Sequence, residues 1–217
     1  IFSVSKLRDR LKLTLSPVQV PPSPDELGSR EDFLKYFTEI TLDTNTVHGW
    51  QSLSDGNRRV TGMSEDSSYP DHPDRFSFWW QVLSRESLTG RCYWEVEWSG
   101  RWVYIAVSYR EIQRKGNSDE CGFGHNDKSW ALVCDNTSPS FRFNKVQSQV
   151  SGPVGSRIGV YLDHSAGVLA FYSVSESTMS LLHRVQTRFT RPLYTGVGIE
   201  HVGRLSLNAF TFEGRRV

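Results

Sequence analysis

Glu95 and Glu97 are the residues of this chain best spaced for paired-carboxylate chemistry. With one residue between them on an extended segment they share a face, about 7 Å apart by strand rise, a separation at which one acid can donate a proton and its neighbour accept one. Their neighbours are Trp94, Val96 and Trp98. Nothing among them points to the raised pKa that a general acid needs, so a solvated or cross-strand-paired face is the plainer reading. His164-Ser165 has the residue types of a base and a nucleophile. Adjacent residues in a turn rarely face each other, and a triad also needs an orienting third group and an oxyanion site. The six histidines, His48, His72, His125, His164, His183 and His201, show no HxxxH or HxH spacing, which argues against a metal site. Cys92, Cys121 and Cys134 are odd in number and lack a CxxC pair, so neither a disulfide framework nor a zinc site is indicated, and a reducing, cytoplasmic setting is expected. Gly196-Val197-Gly198 lacks the third glycine and the strand-to-helix context of a dinucleotide loop and reads as close backbone packing in a sheet. Asp119, Glu120 and Asp127 do not match the spacing of a calcium loop. No catalytic residue, metal ligand or cofactor is assigned. The chain is expected not to be an enzyme.

Binding chemistry remains. Alternation places Trp102 and Tyr104 on the face opposite Val103, Ile105 and Val107, while Trp79 and Trp80 are adjacent and cannot both point inward on an extended segment. Exposed Trp, Tyr and Arg are the usual anchors of protein interfaces. Trp130 goes to the core, because Ser129 to Leu132 reads as an inner strand. The 25 Lys and Arg against 24 Asp and Glu give a net charge of +1 with no basic stripe, so no nucleic acid or anionic membrane is implied as partner. No apolar run reaches the roughly 18 residues of a membrane span.

The elements that must carry these side chains are strands. Gly90 to Tyr109 shows two period-two stretches around a Ser99-Gly100 break, which predicts a β-hairpin with one buried face. Arg157 to Leu162 and Val168 to Tyr172 flank a five-residue connection whose Gly167 suits a bulged hairpin. Trp50, Leu53 and Val60 around Asp55-Gly56-Asn57, then Ser129 to Val133, Ser140 to Phe143, Ser180 to Val185, Leu193 to Ile199 and Arg204 to Leu207, extend the series. Ser29, three residues before Asp32, predicts a capped helix of about two turns. A chain of 217 residues with strands at turn-bounded intervals and almost no helix between them reads as one all-β antiparallel sandwich. Upstream, Val4, Leu7, Leu11 and Leu15 have amphipathic-helix spacing, and Pro17, Pro21, Pro22 and Pro24 stop it. The expected division is 1–15 as the end of an upstream helix or coiled coil, 16–28 as a linker, 29–90 and 91–210 as two segments of the sandwich, and 211–217 as a tail. The chain begins with Ile, as a piece of a longer protein would.

Several stretches carry a family resemblance. Leu42-Asp43-Thr44-Asn45-Thr46 with Leu53-Ser54-Asp55-Gly56-Asn57 resembles the PRY segment, and Trp94-Glu95-Val96-Glu97 the WEVE motif of SPRY domains. Tyr161-Leu162-Asp163-His164 to Phe171-Tyr172 resembles their LDYE-type hairpin, and Pro192-Leu193-Tyr194 the closing motif. The match runs in order over roughly Glu31 to Leu207. The wording around it is most similar to C-terminal domains of fish tripartite-motif proteins, NOD-like receptor relatives and stonustoxin-like proteins. Thr44 departs from a usual proline, and Trp80 follows Trp79 where proline is common.

The resemblance implies a bent β-sandwich with the jelly-roll build of the SPRY and concanavalin-like folds, recognising a protein or peptide through variable loops. Those loops fall at Asp55 to Arg75, Ser77 to Trp80, Arg110 to Asn126, Asp135 to Pro139 and Phe143 to Ser151. Trp79, Trp80, Arg114, Lys115, Asp119, His125, Asn126 and Phe143 are the contact residues expected within them. A tripartite-motif parent would be a RING-type, zinc-binding ubiquitin ligase of innate immunity, dimeric through a coiled coil upstream. Two other readings stand beside it. One is a sensor of phosphorylated metabolites using Arg114, Lys115 and Arg142; the other is the C-terminal domain of a stonustoxin-like or NOD-like receptor protein.

Overall fold

Trp94, Val96 and Trp98 share one apolar cluster with Val103, Ile105 and Val107, yet the strands that carry them never pair. In the computed structural model, which describes residues 27–135, 137–176, 178–199 and 209–213, β4 (Arg91–Ser99) and β5 (Val103–Tyr109) belong to opposite sheets. The expected hairpin is therefore an arch. Period two fixes which side chains face the core but not whether the next strand lies beside or across from its predecessor. At the bend Gly100 has φ 104° and Trp102 φ 55°, a left-handed conformation that a bulky residue rarely adopts.

Earlier in the chain lie α1 (Arg30–Leu34), β1 (Gln51–Ser54), β2 (Arg59–Gly62) and β3 (Trp80–Leu83). After the arch come β6 (Ser129–Cys134), β7 (Ser140–Phe143), β8 (Val146–Gln149), β9 (Arg157–Asp163), β10 (Val168–Val174), β11 (Met179–Gln186), β12 (Leu193–Ile199) and β13 (Ala209–Phe212). A seven-stranded sheet runs β1-β2-β13-β4-β9-β10-β11 and a six-stranded sheet β3-β12-β5-β6-β7-β8. Every pairing between these strands is antiparallel, and the fold is the all-β sandwich that the sequence implies.

The apolar residues form three layers, and the first two explain why β5 and β6 are buried at every position. The main core between the sheets takes Trp94, Ile105, Leu132, Val160 and Phe210, and Trp130 lies there as expected, 4% exposed. A second layer covers the outer face of the six-stranded sheet, where Tyr104, Ala106, Ala131 and Val133 meet Phe76, Ile112 and Phe123. The third lies outside the seven-stranded sheet, where Leu27 and Phe33 cover Tyr93 and Tyr161.

The β9–β10 hairpin forms as expected, with Gly167 at φ 72°. A Cβ there would lie 1.7 Å from the Thr187 carbonyl oxygen, so glycine is required. Ser29 caps α1 with the reciprocal bond from its own backbone N–H to Asp32, but the helix is one turn long. The chain leaves it to bond Tyr93, whose carbonyl accepts from the Thr38 amide at 2.8 Å. Three strands fall where none was assigned: β3, starting at the end of the expected loop Ser77 to Trp80, β8 within an expected loop, and β13 in the stretch after Leu207. The upstream helix, most of the proline-rich linker, His201, the strand expected over Arg204 to Leu207 and the last tail residues lie outside the described residues.

Candidate functional site

The connection between β5 and β6 folds back over the outer face of the six-stranded sheet, and internal polar contacts hold it there. Asn126 is 2% exposed and fully used. Its Nδ2 donates to the carbonyls of Asp119 and Gly122 at 3.0 and 2.8 Å, and its Oδ1 accepts from the Lys128 amide and the Ser129 hydroxyl at 3.0 and 3.1 Å. Gln81 of β3 donates to the Cys121 carbonyl and accepts from the Phe123 amide. Arg114 turns inward, donating to the carbonyls of Ile112 and Arg110 with its guanidinium 4.7 Å above the Phe76 ring. Burial pushes the Arg114 guanidinium down to about 10, still charged at neutral pH. Phe123 sits on β12 because Gly196 leaves room, as a Cβ there would lie 2.6 Å from its ring. The paired glycines thus serve close packing, as the sequence implies.

The anchored loop presents a strip of rings and charges. The Trp79 indole N–H donates to the Ser118 carbonyl at 3.1 Å, and its ring lies 4.9 Å from the His125 ring and edge-on to Phe78, which is 55% exposed. His125 continues toward Tyr104 at 6.4 Å. Its Nε2 lies 3.4 Å from Arg142 Nη1, which can only donate, so the neutral ring carries its proton on Nδ1, 3.5 Å from Asp119. Arg142 also donates to the Tyr104 hydroxyl at 2.7 Å and covers that ring. Lys145 closes the rim on Asp119 at 3.0 Å, and its hydrogen bond holds that carboxylate below the ordinary range.

Of the contact residues expected from sequence, Trp79, Asp119 and His125 come together in this strip. Lys115 stands apart, donating to the His72 carbonyl at 2.9 Å and facing Asp71. The other four turn inward. Trp80 stacks on His48 and Trp50 against the main core, and Phe143 stacks on Trp130 at 5.2 Å with 4° between the rings. Arg114 and Asn126 fasten the loop from within. Phe78 and Arg142 belong to the strip without being among the expected contacts, and Tyr104, 4% exposed, supports them from beneath. Alternation had already put Tyr104 off the core face, and that was the signal available for it.

The paired carboxylates lie on the opposite side of the molecule. Glu95 is 1% exposed beneath α1, where Arg30 holds it with two hydrogen bonds at 2.6 and 2.8 Å and the Tyr93 hydroxyl donates at 2.8 Å. Burial pushes its carboxyl up, but Arg30, Tyr93 and Arg157 outweigh that and hold it below the ordinary value. Glu97 pairs across the ladder with Arg157 at 2.5 Å. Cross-strand pairing holds for Glu97, whereas Glu95 is sealed rather than solvated. Both are tied up structurally.

The family models named SPRY-associated domain and SPRY domain match residues 40–88 and 91–211, and the second alone spans more than half of the chain. The chain belongs to the PRY-SPRY family. It is 38% identical over 169 residues to neoverrucotoxin subunit alpha of Synanceia verrucosa, covering 76% of this chain and 24% of the toxin subunit. It is 33% identical over 174 residues to tripartite motif-containing protein 16 of Mus musculus, covering 79% of this chain and 31% of that protein. The solved stonustoxin structure superposes with a TM-score of 0.82 at 33% identity, over 88% of this chain and 31% of the toxin chain. The PRY-SPRY chain thus spans 24–31% of the length of these relatives. As a PRY-SPRY domain it is a protein-interaction module. No described helix is long and apolar enough to cross a membrane.

Proposed function

We propose that this PRY-SPRY domain recognises a protein or peptide through the strip formed by Phe78, Trp79, Asp119, His125 and Arg142, with buried Tyr104 supporting Arg142 from beneath and Lys115 on a separate part of the rim. The observation that carries the reading is the aromatic pair of exposed Phe78 and half-buried Trp79, held by the indole hydrogen bond and flanked by a charged rim. Pre-positioned aromatics lose little rotamer freedom on binding, and a fixed charge pattern at the rim selects among partners. Trp80, Arg114, Asn126 and Phe143 act beneath the surface by holding it in shape.

In a tripartite-motif parent the domain selects the target of a ubiquitin ligase, in an innate-immune setting, with dimerisation supplied upstream. The identities to neoverrucotoxin and stonustoxin support a second reading, the C-terminal domain of a toxin-like subunit. Transcript sequence reading upstream of Ile1 separates them, since RING and B-box cysteines belong to the ligase and not to the toxin. The metabolite-sensor reading loses ground because Arg114 and Arg142 are each committed to groups of the domain itself.

Affinity capture with the full chain, run beside Trp79→Ala and Trp80→Ala, tests the face. Trp79→Ala is expected to melt like the wild type and lose a captured protein, with affinity down about 30-fold or more for an anchor worth about 2 kcal/mol. A partner held equally by folded Trp79→Ala would place recognition elsewhere.

A further inference from the structure

Both sheets are open, so each has two edge strands whose outward N–H and C=O groups invite another strand. Three of the four edges are covered. On β1 the Leu53 amide donates to the Tyr69 hydroxyl at 3.1 Å and the Gln51 carbonyl accepts from Ser67 at 2.9 Å. On β3 the Leu83 carbonyl accepts from the Asp43 amide at 2.8 Å, and its amide donates to Thr46 Oγ1 at 3.0 Å. On β11 the ladder shifts register opposite Phe171 and Tyr172, and the Leu182 carbonyl there accepts from the Ser151 amide at 2.9 Å. A bulge and a bound loop together close that edge.

The fourth edge, β8, has none of these devices. Asn144 and Lys145, with φ 48° and 67°, join it to β7 through a two-residue turn, so Phe143 and Val146 form the closing pair. Counting from that pair, the backbone groups of Gln147 and Gln149 point away from β7, and no described residue meets them. All four side chains of Val146, Gln147, Ser148 and Gln149 are exposed, with Val146 at 68%. The strand carries no charge, no proline and no bulge, the usual guards of an edge. Beside it lies a hollow of about 560 Å³ whose walls include Thr137, Ser138, Ser140, Gln147 and Gln149, with no charged side chain lining it.

We propose that β8 is a strand-addition site, taking one extended segment of a partner protein that is uncharged where it pairs and carries hydroxyl or amide side chains toward the hollow. Absence of charge on both the edge and the hollow selects that composition, since a Lys or Glu entering it would lose water without gaining a counter-ion. A second copy is a poorer occupant. Four residues of edge bury far less than the roughly 1,200 Å² of a stable protein interface.

The probe is a capped hexapeptide of alternating Thr and Gln, N-methylated at every second residue so that a single hydrogen-bonding edge remains. A fully N-methylated version serves as the control. Titrated into the full chain, the first peptide is expected to shift the amide resonances of Gln147 and Gln149 saturably and to slow their hydrogen exchange, while the second does neither. Replacing two of its residues by Lys is expected to weaken it about tenfold or more. Gln147→Pro removes one outward donor and is expected to lower affinity about tenfold; the peptide pair gives the same test with the protein unaltered. Equal binding of both peptides, shifts confined to other strands, or no binding by either would overturn the proposal. So would protection of Gln147 and Gln149 by self-association, which would make the occupant a second copy.

Discussion

At the scale of single residues, Glu95 shows how a surface-coded charge becomes buried. Its place in the alternation puts it off the core face, but Arg30, 65 positions earlier, and the helix that carries Arg30 seal it. Removing Arg30 leaves that carboxylate with Tyr93 and a distant Arg157. Arg30→Ala is therefore expected to destabilise by about 2 kcal/mol, below the roughly 3–5 of a fully buried pair because Arg30 is itself a third exposed. Adding Glu95→Gln should recover part of the loss, and urea denaturation of the two variants measures it; a double variant worse than the single would mean the pair matters through shape rather than charge. Gly196 is a second such residue. Gly196→Ala places a methyl 2.6 Å from Phe123 and 2.8 Å from the Val82 carbonyl oxygen, and an expected cost of about 1–3 kcal/mol follows from overpacking. The sequence marks the glycine pair as tight packing, yet nothing in it names Phe123 as the group packed there, because that contact is made by a loop lacking periodicity.

Among the elements, the connection between β5 and β6 is the one on which the candidate face depends. Asn126 fastens it with four hydrogen bonds, so Asn126→Ala takes the acceptor from the Lys128 amide and the Ser129 hydroxyl and leaves the carbonyls of Asp119 and Gly122 with only the amides of Gly122 and His125. The expected loss is about 2–3 kcal/mol, felt first locally. Hydrogen exchange should accelerate across residues 110–128 well before β4 or β9 opens, and binding should fall although no surface side chain has been removed. Uniform acceleration over the whole sandwich would show instead that the loop and core open together. This role was invisible in the sequence, where Asn126 reads as a loop residue available for contact, because a polar side chain in a loop faces inward or outward according to partners set by the fold. Strands fared better. Alternation placed the inner side chains of β4 and β5 correctly, since burial depends only on which face a residue occupies. It missed their separation into two sheets, because the arch at Gly100 and a hairpin turn bury the same side chains. The alternating Phe210 and Phe212 of β13 were too few to stand out beyond the last family motif, and polar β8 has no apolar face to mark it.

For the whole molecule, the consequence of stacking layers on both outer faces is that ionisable groups end up under cover, and stability acquires an acid limb in two stages. His183 of β11 stacks on the main-core residue Phe141 of β7 at 3.8 Å, and burial lowers its pKa from the ordinary 6.5. The unfolded chain then takes up that proton more readily than the folded one, so stability begins to fall as pH drops through 6.5. Glu95 and Asp163 follow. For both, burial alone would raise the pKa; hydrogen bonds and the arginines Arg30 and Arg91 reverse it, holding the folded carboxyls below their ordinary 4.5 and 3.8. Their contribution is present in full above those values and is lost as pH falls through the lower folded ones. Melting temperatures across pH 3 to 8 are expected to decline gently below about 6.5 and steeply below about 4.5. His183→Gln should flatten the first stage alone and Glu95→Gln part of the second. If each variant shifted the whole curve by a constant amount, neither group would be responsible for its shape, and the acid sensitivity would have to arise from net charge repulsion across the sandwich instead.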